Sequence, residues 1–566
     1  MKKHNFALSL ALAGALALTA CGGSSTAAPG DPATTSESAG AVKGGTVRVL
    51  LNADYSHLDP AMGFDGGVNN FYRLVYRTLT TNSTEAGKTS EMVPDLATDL
   101  GTPSDGGKTW TFTLKDDVFF ENGDPITSAE VKFGVLRSWD PATGIGSPWA
   151  KQLLDDGSGY KGPYEQPDVD YKAIETPDAK TIVFHLNQPF ADFSSVVGQN
   201  SFVPFPVGSG AGSAFDSKPI ASGPYKVDSY QRGAKLNLSR NDKWSSATDP
   251  VRPSLPDNYE FLFGLDGATI DERMLAVQGD DANAISGGAL QAANISRVQD
   301  PKTRERAVVA DATCTTYMSL NTTKAPFDDV KVRQAINYAI DKSSLLTAAG
   351  GSLLATPANT VMVPTLLGWN DFNIYPSTDN KGDIEKAKAL LAEAGQSDGF
   401  ELVLDTRAQP KMQAFSQSVQ QSLAKVGIDV KLNVIDTSSY YEVIGTRSQQ
   451  NDAAITGWCP DWASGQTFLP PLFDGKNIFD KGNSNLAQLN DAGVNKRIAE
   501  IAAMEDATEA NKAYGELDEQ IMELAPVVPM LYENGLQLTG PNIGSSQVGF
   551  NGGIDLITLG LTDPAK

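Results

Sequence analysis

Along the first half of the chain, apolar and polar positions mostly alternate. Along much of the second half they recur every three to four residues. GGTVRVLLNA (44–53) opens after a glycine pair with a nearly continuous apolar run, and predicts a strand. KTWTFTLKDDVFFENGDPITSAEVKFGVLRSW (108–139) predicts two alternating strands, an Asn-Gly turn and a helix. Ser128 is the expected N-cap of that helix, with Val131, Val135 and Leu136 at helical spacing. KTIVFHLNQPF (180–190) reads as a strand and GPYKVDSYQRGAKLNLSRN (223–241) as a hairpin. VKVRQAINYAID (330–341), DIEKAKALLAEAG (383–395) and KMQAFSQSVQQSLAKVGI (411–428) carry the amphipathic helical period. ELVLDT and DVKLNVID flank the last of these as strands, giving a strand–helix–strand unit. The C-terminal half is therefore expected to be α/β and the N-terminal half richer in strands. No internal repeat is visible.

The two ends of the first forty-odd residues change the picture. MKKHNF followed by ALSLALAGALALTA reads as a secretory signal peptide over residues 1–20, with a positive start and a short apolar run. The run is too short to span a bilayer comfortably. It closes on Leu18-Thr19-Ala20-Cys21, which resembles the lipobox of bacterial lipoproteins. That resemblance implies lipidation of Cys21 after cleavage; a buried or free cysteine is the alternative. Residues 21–44 are almost wholly Gly, Ser, Thr, Ala and Pro, a composition that cannot bury enough apolar surface to order itself. A flexible tether is expected there, holding a soluble body on the outer face of the cell membrane.

That body, roughly 520 residues, exceeds what one core serves, so two or three domains are expected. The net charge of −23 becomes −25 once Lys2 and Lys3 leave with the signal. So acidic a surface argues against nucleic acid and against docking on anionic lipid. Cysteines number three, at 21, 314 and 459. If Cys21 carries lipid, two remain in an oxidising compartment, either paired or as separate buried thiols.

A catalytic set is hard to assemble. His4 leaves with the signal, and His57 and His185 lie in or beside strands. No Gly-x-Ser-x-Gly elbow, His-x-x-x-His pair or Cys-x-x-Cys pair occurs. A carboxylate pair for glycoside chemistry stays open, with nothing to single one out. Binding without chemistry and without a cofactor is the expectation, with a secreted hydrolase as the competing class.

A specific resemblance follows from several blocks taken in order. PDLATDLGTPSDGGKTWTFTLKDDVFFENGDPITSAEVKFGVLRSW resembles the signature region of the family 5 extracellular solute-binding proteins of ABC importers. SGPYKVDSY (222–230), YMSLNTTKAPFDDVKVRQAINYAIDK (317–342) and GWCPDW (457–462) match further blocks of that family, from about residue 44 to the C-terminus. The resemblance implies a two-lobed α/β clamshell of the periplasmic-binding-protein type (type II, cluster C) with an extra β-rich subdomain. By motif order, lobe one takes 45–90, 205–312 and 525–566, the extra subdomain 91–204, and lobe two 313–524. A monomer that delivers solute to permease subunits is implied as well.

The family's peptide receptors imply the site. The aspartate of Gly-Trp-x-x-Asp there accepts a ligand's α-ammonium, and the matching residue is Asp461, with Trp458 beside a side-chain pocket. Some peptide binders carry a cysteine between the two, disulfide-bonded to one near the start of the second lobe. Cys459 and Cys314 match that pattern. Pro460 and Trp462 add bulk around the aspartate, and 453–455 (Ala-Ala-Ile) lack a basic group for a ligand carboxylate. Arg447 is the nearest candidate for that role. An oligosaccharide is the alternative ligand, with Trp369, Trp458 and Trp462 as stacking platforms.

Overall fold

Short alternating segments make three main sheets. The computed structural model describes residues 40–64, 66–210, 214–437 and 439–565. The signal peptide, Cys21 and the tether as far as residue 39 lie outside the described residues. The last tether residues are already tied down: the Val42 and Gly44 N–H groups donate to the carbonyls of Leu561 and Leu255, both at 2.9 Å.

The first sheet has five strands in the order Ala284–Ser286, Thr46–Leu50, Asn258–Leu262, Lys235–Arg240 and Tyr225–Gln231. Thr46–Leu50 is parallel to both of its neighbours, and the last two strands form the expected hairpin. Val47 and Val49 point into a core shared with Val68, Phe71, Leu74 and Val75 of the helix Gly66–Val75. The second sheet has four strands, Thr102–Ser104, Thr109–Thr113, Thr181–His185 and Ile174–Glu175, all antiparallel. The third runs Ala355–Pro357, Val527–Leu538, Ala307–Leu320, Ala453–Trp458, Phe400–Arg407 and Ile428–Ile435. Its last two strands are parallel and connected through the helix Pro410–Ala424, the strand–helix–strand unit of the sequence. The whole is a mixed α/β, two-lobed architecture with a separate β-rich unit.

Two local expectations change. The second strand expected around residues 117–120 is reduced to an isolated bridge between Phe119 and Pro125. Asp117 sits at φ 57°, which turns the chain out of the extended path. The helix Ser128–Leu136 is capped by Thr127 rather than Ser128. Glu130 stands three residues after Thr127 and completes a capping box, an arrangement that Ser128 cannot make.

Ala307–Leu320 and Val527–Leu538 are the longest strands, and they run antiparallel through both lobes. Thr315–Ser319 pair with Tyr532–Val527 inside the third sheet. At the other end, the Leu538 N–H donates to Ser286 Oγ of the first sheet at 2.9 Å. The ladder is interrupted between Ala310 and Cys314. There Ala312 takes φ 53°, and its buried N–H donates to Asn534 Oδ1 at 3.1 Å. This bulge bends the strand where the chain passes from one lobe to the other, and brings Thr313 and Cys314 to the surface of a cavity.

Candidate functional site

A cavity of about 350 Å³ is walled by both lobes. The helix Gly66–Val75 contributes Asn69, Asn70, Tyr72 and Arg73, and the C-terminal segment contributes Gly549, Phe550, Asn551 and Asp555. Gly198, Gln199 and Asn200 close one side. Thr313, Cys314, Cys459, Pro460 and Asp461 form the wall from the third sheet and the loop after it.

The loop that carries Asp461 is held at three points. Cys314 and Cys459 are disulfide-bonded with their Cα atoms 4.4 Å apart, just beyond the ladder in which Thr315 faces Trp458. Trp458 packs against the core of the second lobe, and its indole N–H donates to the Thr467 carbonyl at 2.7 Å. Trp462 points elsewhere. It is 1% exposed and belongs to the core built on the four-stranded sheet. Its ring meets Trp149 edge-on at 4.7 Å, and its N–H donates to Asp192 Oδ2 at 3.1 Å. Asp192 is buried, and burial raises its pKa against the lowering effect of hydrogen bonds from Ser464 and Trp462. The two tryptophans are thus anchors in different cores, and Asp461 is left between them on the cavity wall.

Asp461 receives one side-chain hydrogen bond, from Trp149 Nε1 to Oδ2 at 3.1 Å. Gln199 Nε2 reaches its backbone carbonyl at 3.3 Å. Burial raises the carboxyl pKa and the indole bond offsets this only in part; no basic side chain contributes among the described residues. A carboxylate can accept about four hydrogen bonds, so most of its capacity faces the cavity unfilled. Such an acceptor can receive a cation.

Arg252, Tyr72 and Tyr76 nearby are partnered within the protein. Arg252 lines the cavity but spends its guanidinium on Asp249 (2.9 Å), Asp95 (2.8 Å) and the Arg73 carbonyl (2.9 Å). Burial alone would raise the pKa of Asp95, yet Arg252 and Arg77 outweigh it and hold the group at about 2. Tyr72 and Tyr76 direct their hydroxyls to backbone carbonyls at His57 and Leu58.

Of the residues singled out in the sequence, the cavity brings together Asp461, Cys459 and Cys314. Trp458 and Trp462 lie behind the wall, and Arg447 is exposed and not among the lining residues. Trp149, Gln199, Arg73 and Asp555 were missed. Arg73 carried one readable signal, since it stands three residues after Asn70 and four after Asn69 and so shares a polar face with them on an otherwise apolar helix. Trp149 carried none, because its partner stands 312 positions away.

The chain as a whole is similar to known proteins. Residues 91–480 match the family model described as bacterial extracellular solute-binding proteins, family 5 middle. Heme-binding protein A of Haemophilus influenzae is 27% identical over 463 residues, 78% of this chain and 79% of that protein. The glutathione-binding protein GsiB of Escherichia coli (strain K12) is 25% identical over 501 residues, covering 86% and 89%. Among solved structures, clavulanic acid biosynthesis oligopeptide binding protein 2 superposes with a TM-score of 0.86 at 33% identity, covering 94% of this chain and 100% of that one. The unliganded open form of the murein tripeptide binding protein MppA has a TM-score of 0.74 at 21% identity and shares the fold.

Proposed function

The chain belongs to the bacterial extracellular solute-binding proteins, family 5, and from that premise we propose that it captures short peptides outside the cytoplasm and passes them to the membrane subunits of an ABC importer. Proteins of this kind bind solutes and are not enzymes. One observation carries the peptide reading: the Asp461 carboxylate faces a cavity shared by both lobes, with a single indole donor and no basic partner among the described residues. A peptide's α-ammonium is the cation that fits. Enclosing such an ion pair gains little net energy, because both ions lose water. What it supplies is register, since the amino end can sit in one place only.

The rest of the wall suits a backbone. Asn69, Asn200, Asn551 and Gln199 offer amide groups that pair with peptide N–H and C=O whatever the side chains. Relatives named for oligopeptides and for glutathione support this ligand class. A haem, named for another relative, would find no histidine in this wall. In this reading lobe one (45–90, 205–312 and 525–566) closes with lobe two (313–524) on the peptide, and 91–204 supports the loop of Asp461. Cys21 is the lipid anchor; a Cys21→Ser chain that stays processed and membrane-bound would refute that part.

Mass spectrometry of ligand released from gently purified, denatured protein tests the reading. Peptides with free amino termini are expected. Oligosaccharides or amino-blocked compounds as the bound species would overturn it.

A further inference from the structure

Behind the Asp461 carboxylate stands a second one that faces no ligand. We propose that Asp192 is a positioning residue for the ammonium site, acting on Asp461 through Trp462 and Trp149. The inference rests on the peptide reading above and names what holds that carboxylate in place.

Asp192 belongs to the β-rich unit and stands at the N-terminus of the short helix Phe193–Val196. An aspartate in that place ordinarily caps its own helix, but this one makes no side-chain cap. It is 4% exposed and turned instead to the loop after Asp461. There its Oδ2 accepts the Trp462 indole N–H at 3.1 Å, and Ser464 gives a second hydrogen bond. Among the described residues only these two bonds offset its burial, with no basic side chain contributing. The packing is exchanged in both directions. Trp462, from the loop, sits in the core of the β-rich unit, while Ala191, next to Asp192, sits in the core of the second lobe.

From Trp462 the contact passes to Trp149. The two rings meet edge-on at 4.7 Å, and Phe190 completes the cluster, 6.1 Å from Trp462 and 6.2 Å from Trp149. Trp149 opens the helix Trp149–Leu154 and is only partly buried, so its indole plane depends on these neighbours. Its N–H donates to Asp461 Oδ2 at 3.1 Å. Two tryptophan–aspartate hydrogen bonds, joined by one ring contact, therefore run from Asp192 to Asp461. A carboxylate oriented before the ligand arrives loses less freedom on binding, so the far end of this chain bears on how well an ammonium is held.

Calorimetry at one fixed pH compares the tightest of di-, tri- and tetra-alanine with its N-acetyl form, and melting temperatures are measured alongside. Wild type should favour the free amine. Asp192→Leu, which removes the acceptor, and Trp462→Phe, which keeps a ring but loses the donor, should each cut that preference at least about fivefold. Asp192→Asn still offers an oxygen to the indole and should retain most of it. In a Trp149→Phe background, where the last bond is already gone, Asp192→Leu should cut the preference no further. A loss of stability alone would weaken both peptides alike and leave their ratio unchanged. A folded Asp192→Leu protein that keeps or raises the wild-type ratio overturns the role of Asp192 and leaves the ammonium site standing. If that variant does not fold, Trp462→Phe decides by the same criterion. Asparagine as damaging as leucine, or a further cut in the Trp149→Phe background, overturns it too. If wild type binds none of the three peptides, or the acetylated form equally well, the peptide reading fails and this inference with it.

Discussion

The indole N–H of Trp149 donates to the Asp461 carboxylate at 3.1 Å, joining two elements that are 312 residues apart in the chain. Asp461 therefore receives help from a core to which it does not belong. The bond favours the ionised carboxylate, and burial opposes it.

A pH dependence of binding follows. In the free protein the Asp461 pKa is raised, mainly by burial. A bound ammonium favours the ionised form, so affinity falls as pH drops through the free-state pKa, and binding in that window releases a proton. Trp149→Phe removes the bond that lowers the pKa, so the fall in affinity should move to higher pH. Calorimetry in buffers of different ionisation enthalpy reads this directly. Proton release should grow as pH falls toward the raised Asp461 pKa, and should set in at higher pH in the variant. No proton exchange in either protein would count against the assignment.

Trp462 should matter to stability before it matters to ligand contact. Trp462→Ala empties a site among Trp149 and Phe190 and leaves Asp192 with one donor fewer. A loss of about 3–5 kcal/mol in unfolding free energy is expected. Trp462→Phe, which keeps most of the packing, should lose less. Urea titrations of the three proteins check the order. An alanine variant as stable as wild type would mean that the ring is not packed as described.

Asp518 provides a pH effect on folding itself. Its side chain is buried and accepts the Met362 and Val361 N–H groups at 2.9 and 3.3 Å, yet burial outweighs both and raises its pKa to about 7. The folded state thus holds this proton more tightly than the unfolded chain does. The contribution is fully present below the unfolded value and is lost as pH rises through about 7. The full effect is on the order of 4 kcal/mol at most. Asp518→Asn should abolish this group's share, making the variant the more stable protein near pH 8 by comparison with pH 4. Parallel stability–pH curves for the two would contradict it.

Much of this was legible because it is local or ordered along the chain. The hairpin from Tyr225 to Arg240 and the parallel pair around Pro410–Ala424 follow from period and turn residues. Asp461 and the Cys314–Cys459 pair came from a resemblance in motif order, and the disulfide bears out the cysteine pairing. What stayed hidden depends on contacts across hundreds of residues. A tryptophan in Gly-Trp-Cys-Pro-Asp-Trp looks like a ligand platform until the fold puts Trp462 in another core. Arg73 looks like an ordinary helix residue until Asp555, from near the C-terminus, arrives beside it.

The central claim is that Asp461 holds a peptide's ammonium, and a double-mutant cycle by titration calorimetry tests it most directly. Asp461→Ala leaves an enclosed ammonium without its partner, which should weaken free peptide by about 3–5 kcal/mol, roughly two to four powers of ten. N-acetylation of the peptide should weaken binding to wild type to a similar degree. The two losses should not add, so that the variant binds acetylated and free peptide almost alike. If wild type binds acetylated and free peptide equally well, Asp461 does not hold the ammonium.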